Sequence, residues 1–299
     1  MATALEIRTQ IKSVKNIAKV TGALETVSAS RVRRAQSQAL ATRPYANAAM
    51  EILHDIASAQ SGEMSHPLLD TRTAVKNVCI VMITSDRGLA GPYNGNVVRA
   101  AYEMEKKQTV PVRYIAVGKK GRDMVLRRGG QLIAEFSDLP ATPTILDIRP
   151  IVRTAVDDFL NGAVDEVYLA YTKFVNMLRQ EALVERWLPL QPIFEHLAPG
   201  RQSAPSGPAA VYTFEPDPAA VLNEILPRFT ELQLYHALLE ALASEHSARM
   251  VAMRSATDNA NALADDLTLQ YNKARQLAIT NEILDIVGGA EALAQSISD

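Results

Sequence analysis

A single cysteine, Cys79, is all the sulfur nucleophile the 299-residue chain contains. One thiol can close no disulfide within the chain and builds no cysteine zinc site. It lies in the apolar run Val78-Cys79-Ile80-Val81-Met82-Ile83, which reads as a buried, inert position. Excess charge is nearly absent: 31 Lys and Arg stand against 33 Asp and Glu, so nothing electrostatic calls for nucleic acid as a partner. No stretch approaches the roughly 20 apolar residues that span a bilayer, and Met1–Glu6 lacks the charged-then-apolar layout of a signal peptide. These absences predict a soluble, cytosol-facing protein. Five histidines, at 54, 66, 196, 236 and 246, have no partner at metal-ligand spacing, so no metal site is expected. The glycine-lysine-serine/threonine ending of a P-loop is missing as well.

The residues that are present fall into three zones. Composition is ordinary for a globular chain, 47% hydrophobic and 21% charged, and the length suits one large or two moderate units. The first zone, residues 1–61, reads as a helix opened by a Thr3/Glu6 capping box. Ile7, Ile11, Val14, Ala18, Thr21, Leu24 and Val27 recur at three- and four-residue steps, a narrow stripe suited to a coiled-coil seam. Pro44 is expected to interrupt and bend this helix. The middle zone, 71–210, alternates apolar strands with helices: strands at Lys76–Thr84, Val112–Val117, Gln131–Phe136 and Glu166–Phe174, helices at Asn94–Lys107 and Ile151–Asn161. That order predicts an α/β domain with a largely parallel sheet. Pro199–Pro208 reads as a loop. The third zone, 217–299, is one long helical pattern capped by Asp217 with Pro218 in its first turn, and Pro227 is expected to divide off a short first segment. Its stripe runs Met253, Ala256, Ala260, Leu263, Leu267, Tyr271, Ala274, Ala278, Asn281, Leu284, Gly288. About 80 residues at 1.5 Å each exceed 100 Å, longer than a compact domain requires.

The two end zones complement each other in charge. Residues 1–43 carry eight basic and two acidic residues, and residues 217–299 carry twelve acidic and five basic. An antiparallel pairing of the end helices around an inserted α/β domain follows. Equal stepping from the domain puts Thr3 opposite Tyr271, so cysteines at Leu24 and Met250 should crosslink. Everything from Asn272 onward then lacks a partner within the chain, about 28 residues or 40 Å of helix with an apolar face at Leu277, Leu284, Val287, Leu293 and Ile297. A single helix of that kind is marginal in water, and something outside the chain must cover it.

Chemistry-bearing motifs are weak. Ser85-Asp86-Arg87-Gly88-Leu89-Ala90-Gly91 follows a strand and precedes a helix, where phosphates are often held, but a structural turn is favoured about four to one, and likewise for Val117-Gly118-Lys119-Lys120-Gly121. Asp265-Asp266 point in different directions on a helix and read as a solvated face. Ser28, Ser30 and Ser85 have no evident base. Arg31-Val32-Arg33-Arg34 suits a protein partner better than phosphate. Two rivals remain at this level: a coiled-coil scaffold with a nucleotide-sensing domain, and a nucleotide-dependent enzyme with a helical arm.

At both ends the sequence resembles the gamma subunit of F-type ATP synthases. Glu6-Ile7-Arg8, Ser13-Val14-Lys15-Asn16, Val27-Ser28-Ala29-Ser30, Arg33-Arg34-Ala35-Gln36 and Arg43-Pro44-Tyr45-Ala46 are similar to that family's opening helix. Ala243-Ser244-Glu245, Ala248-Arg249-Met250, Ala256-Thr257-Asp258-Asn259-Ala260 and Tyr271-Asn272-Lys273-Ala274-Arg275-Gln276 are similar to its closing helix. Ser85–Leu89 and Phe214–Pro218 resemble two of its turns. The likeness is loosest between about 120 and 210. It implies a long antiparallel coiled coil of the N- and C-terminal helices with an inserted Rossmann-like α/β domain. It implies a central rotor stalk in the bore of three alpha and three beta subunits, standing on the c-subunit ring and binding the epsilon subunit, with no cofactor and no catalysis of its own. Contacts with a beta subunit map to Arg275, Gln276, Thr280 and Glu282, and contacts with the c ring to Tyr212 and Glu215. Localisation would be peripheral, on the cytoplasmic side of the cell inner membrane of a bacterium. Gly22 and Leu24 stand where the family usually has lysine and methionine, which removes the charge for a beta-subunit contact there. Pro92-Tyr93 replaces small residues, and the chloroplast form's cysteine pair is absent.

Overall fold

The computed structural model describes residues 4–59, 66–72, 74–190 and 217–298. The elements in chain order are α1 (Ala4–Ala59), β1 (Val78–Ile83), α2 (Tyr93–Lys107), β2 (Val112–Val117), α3 (Lys119–Arg127), β3 (Gln131–Phe136), α4 (Ile145–Leu160), β4 (Glu166–Phe174), β5 (Gln180–Leu188) and α5 (Pro218–Ser298). They divide into two compact units: residues 1–27 with 250–299, and residues 28–249.

In the larger unit, five strands lie in the order β3-β2-β1-β4-β5. The first four are parallel, and β5 returns antiparallel along β4. β1 is buried along its whole length and alternates its side chains between two cores. Cys79, Val81 and Ile83 pack with Ile148, Ile151, Ala155 and Phe159 of α4 and with Leu226, Phe229, Leu234 and Leu238 of α5. Val78, Ile80 and Met82 pack with Val97, Val98 and Ala101 of α2 and Val125 of α3. A strand covered on both faces by helices is what its unbroken apolar run encodes. The chain crosses tightly from β2 into α3 at Gly118, whose φ is +101°, and a Cβ there would sit 2.3 Å from the Thr84 carbonyl oxygen. Only glycine fits both the conformation and the approach.

In the smaller unit the two end helices pair antiparallel along heptad seams. Along α1, Ile7 and Ala18 are buried and Ile11, Val14 and Thr21 half-buried. On α5 the seam is Met253, Thr257, Ala260, Ala264, Leu267, Tyr271 and Ala274, with Ala260 and Ala264 buried. Thr21 and Thr257 share a hydrogen bond of 2.7 Å between their hydroxyls. That contact sets a register one turn away from the sequence expectation: at this level Leu24 lies opposite Arg254, and Met250 is a turn out of step for a crosslink. Tyr271 and Ala274 stay half-buried, and from Arg275 to Ala290 no residue is covered.

Several expectations are corrected. Pro44 and Pro227 lie inside unbroken helices. Helix growth is cooperative, so one missing amide does not end a segment whose other turns are already formed. α4 begins six residues earlier than expected, at a Thr144–Asp147 capping box. α3 and β5 were not foreseen. Leu263 is exposed and Ala264 buried; Val27 is exposed and Ser28 buried. A strict seven-residue repeat placed the seam where the larger apolar residues are not. Arg8, Lys12, Lys15 and Lys19 are all exposed along one side of α1, and no ion pair joins these four to α5 among the described residues. Farther along the pair, the charge of Arg31 on α1 acts on the Glu245 carboxyl of α5.

Candidate partner-binding surface

Past Ala274 the heptad seam of α5 loses its apolar character. Its next positions are Ala278, Asn281, Asp285 and Gly288, which give a partner helix nothing to grip. Apolar side chains move to the rest of the circumference instead. Ile279, Ile283 and Ile286 recur at four- and three-residue steps along one side, and Leu277 and Leu284 lie on the other. Every residue from Arg275 to Ala290 is exposed, and Ile286 keeps 66% of its surface in solvent. The apolar face expected from Leu277, Leu284 and Val287 is thus only half of it. An exposed helix with large apolar side chains on two of its sides is marginal in water, since helix stability comes mostly from packing such faces.

The sequence-expected contacts fall on this segment. Arg275 and Glu282 border the isoleucine stripe on one flank, Gln276 and Thr280 on the other. Thr280 Oγ1 donates to the Gln276 carbonyl oxygen at 2.9 Å, and neither Arg275 nor Glu282 has an ion pair among the described residues. Tyr212 and Glu215, the expected c-ring contacts, lie outside the described residues, as do the Thr3 cap and the Pro199–Pro208 loop.

The turn Ser85–Gly91, weighed above as a phosphate site, is filled by the protein itself. At the start of α3, the Lys119 N–H donates to Asp86 Oδ1 at 3.0 Å, the Lys120 N–H to the Ser85 carbonyl at 3.1 Å, and the Gly121 N–H to Thr84 Oγ1 at 2.8 Å. The Gly118 N–H donates to the Phe136 carbonyl. A helix N-terminus binds anions through free amides, and those of α3, the helix that follows Val117–Gly118, are engaged. Arg249 of α5 donates to the carbonyl oxygen of Gly88 at 3.3 Å and pairs with Glu245 at 2.7 Å. The turn is a structural clasp.

Around that clasp lies a buried polar group that sequence reasoning did not single out. Burial raises the Glu245 carboxyl against the opposing pull of Arg249. Burial also lowers His246 to about 4, helped by Arg249 and Arg31. In Ala243-Ser244-Glu245-His246-Ser247-Ala248-Arg249 the signal was charged residues set among small buried ones, which resembles a solvated face until the packing is seen. His246 makes stability depend on pH. Its folded value lies below the ordinary 6.5, so below 6.5 the unfolded chain takes up a proton that the fold refuses. Stability falls as pH drops from 6.5 toward about 4, by on the order of 3 kcal/mol. Glu245 acts in the opposite sense, so the comparison is between variant and parent. His246→Gln is expected to flatten the dependence of the melting temperature between pH 7 and 4. An unchanged slope would place the acid sensitivity elsewhere.

Antiparallel paired terminal helices with a Rossmann-like α/β domain inserted between them in sequence define the class of fold to which the chain belongs. The sequence profile described as ATP synthase matches residues 3–293. The chain is 48% identical over 295 residues, 98% of its length, to all of the ATP synthase gamma chain of Dehalococcoides mccartyi strain CBDB1. It is 47% identical over 300 residues, 99% of its length, to all of that of Roseiflexus castenholzii. Among solved structures, a chain in the OSCP/F1/c-ring structure of the Euglena gracilis mitochondrial ATP synthase superposes with a TM-score of 0.66 at 18% identity, covering 97% of this chain and 94% of that one. One in the central stalk/c-ring structure from Tetrahymena thermophila gives 0.59 at 23%, covering 79% and 99%. The chain belongs to the ATP synthase gamma chain family.

Proposed function

We propose that the exposed end of α5 is the bearing of a rotor, seated in the bore formed by three alpha and three beta subunits. Supporting this is the run from Arg275 to Ala290, exposed at every residue and carrying large apolar side chains on two sides. In that seat the isoleucine stripe meets the bore wall, and Arg275, Gln276, Thr280 and Glu282 make polar contacts with a beta subunit. Segment 71–210 serves as the foot, with segments 1–61 and 217–299 as the coiled-coil shaft. The foot binds the epsilon subunit and stands on the c ring, with Tyr212 and Glu215 at that contact. Proton-driven turning of the ring carries the chain round, and its asymmetric surface favours a different beta-subunit conformation at each angle. Differential contact of that kind is what conformational coupling requires.

The chain itself performs no catalysis in this reading, and it is held peripherally at the cytoplasmic side of the inner membrane through the ring. No described helix is long and apolar enough to cross a membrane. Hydrogen exchange on the free chain and on the assembled complex tests the bearing. Amides from Arg275 to Ser298 are expected to exchange fast in the free chain and slowly in the complex. Slow exchange in both would sink the reading, because the segment would then be self-sufficient. The purified chain is expected to turn over no ATP, and turnover surviving stringent purification would overturn the non-catalytic assignment.

A further inference from the structure

A groove of about 710 Å³ lies in the larger unit, between α4, the early turns of α5 and the segment 66–68. That volume is in the range of sites that take a small molecule. Leu68, Val152, Val156 and Pro227 give it apolar walls. Leu146 and Leu160, both exposed, line its two ends along α4, about 21 Å of helix apart.

Three side chains bring unspent donors to this apolar surface. His66 is only 8% exposed. Its Nδ1 accepts the Leu68 N–H at 3.1 Å. Burial lowers its pKa against the opposing pull of Asp70, so the ring is neutral and carries its proton on Nε2. That N–H has no acceptor among the described residues, and a donor so deeply buried normally has one. Arg149 and Arg153 stand one turn apart on α4 and share a face. Arg149 lies 3.3 Å from Glu231, and Arg153 lies 3.5 Å from Asp157. A charge-assisted hydrogen bond is shorter, roughly 2.7–2.9 Å, and neither guanidinium makes a hydrogen bond among the described residues.

We propose that this groove binds a single-chain amphiphile with a carboxylate head, of the fatty-acid class. The head accepts N–H groups from Arg149, Arg153 and His66, and the tail lies on the leucine, valine and proline surface. Glu231 and Asp157, on the same rim, set the charge of the head. Two arginines that already face two carboxylates take a single negative charge more readily than the double charge of a phosphate monoester. The site goes beyond the rotor reading and stands or falls without it.

The test titrates the full chain with decanoate below its micelle concentration, measuring bound ligand by calorimetry and the melting temperature beside it. One saturable site per chain and a higher melting temperature are expected, since a ligand of the folded state stabilises it by mass action. Arg153→Gln and Leu160→Glu change exposed side chains, so each should melt like the parent without ligand. Each should bind decanoate about tenfold more weakly, the first through a lost charged donor and the second through a charge set against the tail. Decanol and decyl phosphate should both bind the parent more weakly than decanoate. Decanol binding as tightly would show that the head is not read and overturn the carboxylate site, and tighter binding of decyl phosphate would overturn the single charge. Decanoate that never saturates, or that binds both variants as it binds the parent, would overturn the groove as a site.

Discussion

Replacing Asp165 by alanine is expected to remove about 3 to 5 kcal/mol of stability, enough to unfold much of the larger unit. Asp165 is buried just before β4. One carboxylate oxygen takes Arg72 Nη1 at 2.6 Å, and the other accepts the N–H groups of Lys76 at 2.7 Å and Asn77 at 3.0 Å. Arg72 also donates to the carbonyls of Phe159 and Val164. A single side chain thus fastens the segment entering β1 to the one entering β4. Alanine leaves a part-buried guanidinium and two amides without their acceptor, and each unmet group costs on the order of 1–3 kcal/mol. Asp165→Asn keeps one acceptor and should lose about half as much. Urea titration separates the two variants, and equal small losses would show that water replaces the carboxylate. Burial alone would raise this carboxyl, but Arg72 and the two amides outweigh it and hold it below the ordinary 3.8. Its contribution is therefore present above pH 3.8 and lost as pH falls through the lower folded value.

Among the strands legible in the sequence, β1, β2 and β4 pair on both sides, and the edge strand β3 was marked by its short apolar run Leu132-Ile133-Ala134. β2, β3 and β4 match their expected bounds, since runs of branched apolar residues leave little choice. β5 escaped because its sequence, Gln-Glu-Ala-Leu-Val-Glu-Arg-Trp-Leu, breaks its apolar residues with Glu181, Glu185 and Arg186 and buries just its last residues, Trp187 and Leu188. α3 escaped because Lys-Lys-Gly-Arg-Asp-Met-Val-Leu-Arg is short and charged, with Gly121 in its first turn. Glycine there weakens the helix signal, yet a Cβ on Gly121 would meet Thr84 Oγ1 at 2.7 Å. The seam positions Ser28 and Ala264 were hidden because periodicity ranks the larger side chain first, while a close helix pair prefers the smaller.

The candidate contacts reached the page in a different way. Nothing in the composition of Arg275, Gln276, Thr280 and Glu282 marks a site, and only the family resemblance named them. What the structure adds is the loss of the seam at Ala278, Asn281 and Asp285 where exposure begins. That change was written in the sequence, but it means something only once the register of the pair is known. The register is set by the Thr21–Thr257 contact, a pair of hydroxyls that no apolar pattern singles out.

The largest effect on function is expected from the isoleucine stripe. In the triple variant Ile279→Ser, Ile283→Ser and Ile286→Ser, the free chain should keep its melting temperature within a degree or two. All three side chains are exposed, and exposed substitutions change stability little. Binding to the alpha-beta hexamer should fall far more. Burying an isoleucine is worth about 1.5–3 kcal/mol, and if half of that is realised at the bearing, three lost side chains weaken binding by on the order of a hundredfold or more. The polar flank should behave differently. Arg275→Ala or Glu282→Ala would lose about thirtyfold or more if the charge meets a buried partner, and next to nothing if the contact is exposed. The salt dependence of binding decides between those two: a screened rim contact loses its effect at high salt, and a buried pair keeps it. A triple variant that binds as tightly as the parent would mean that the apolar surface of this helix faces solvent in the complex too, and the bearing would have to lie elsewhere on the chain.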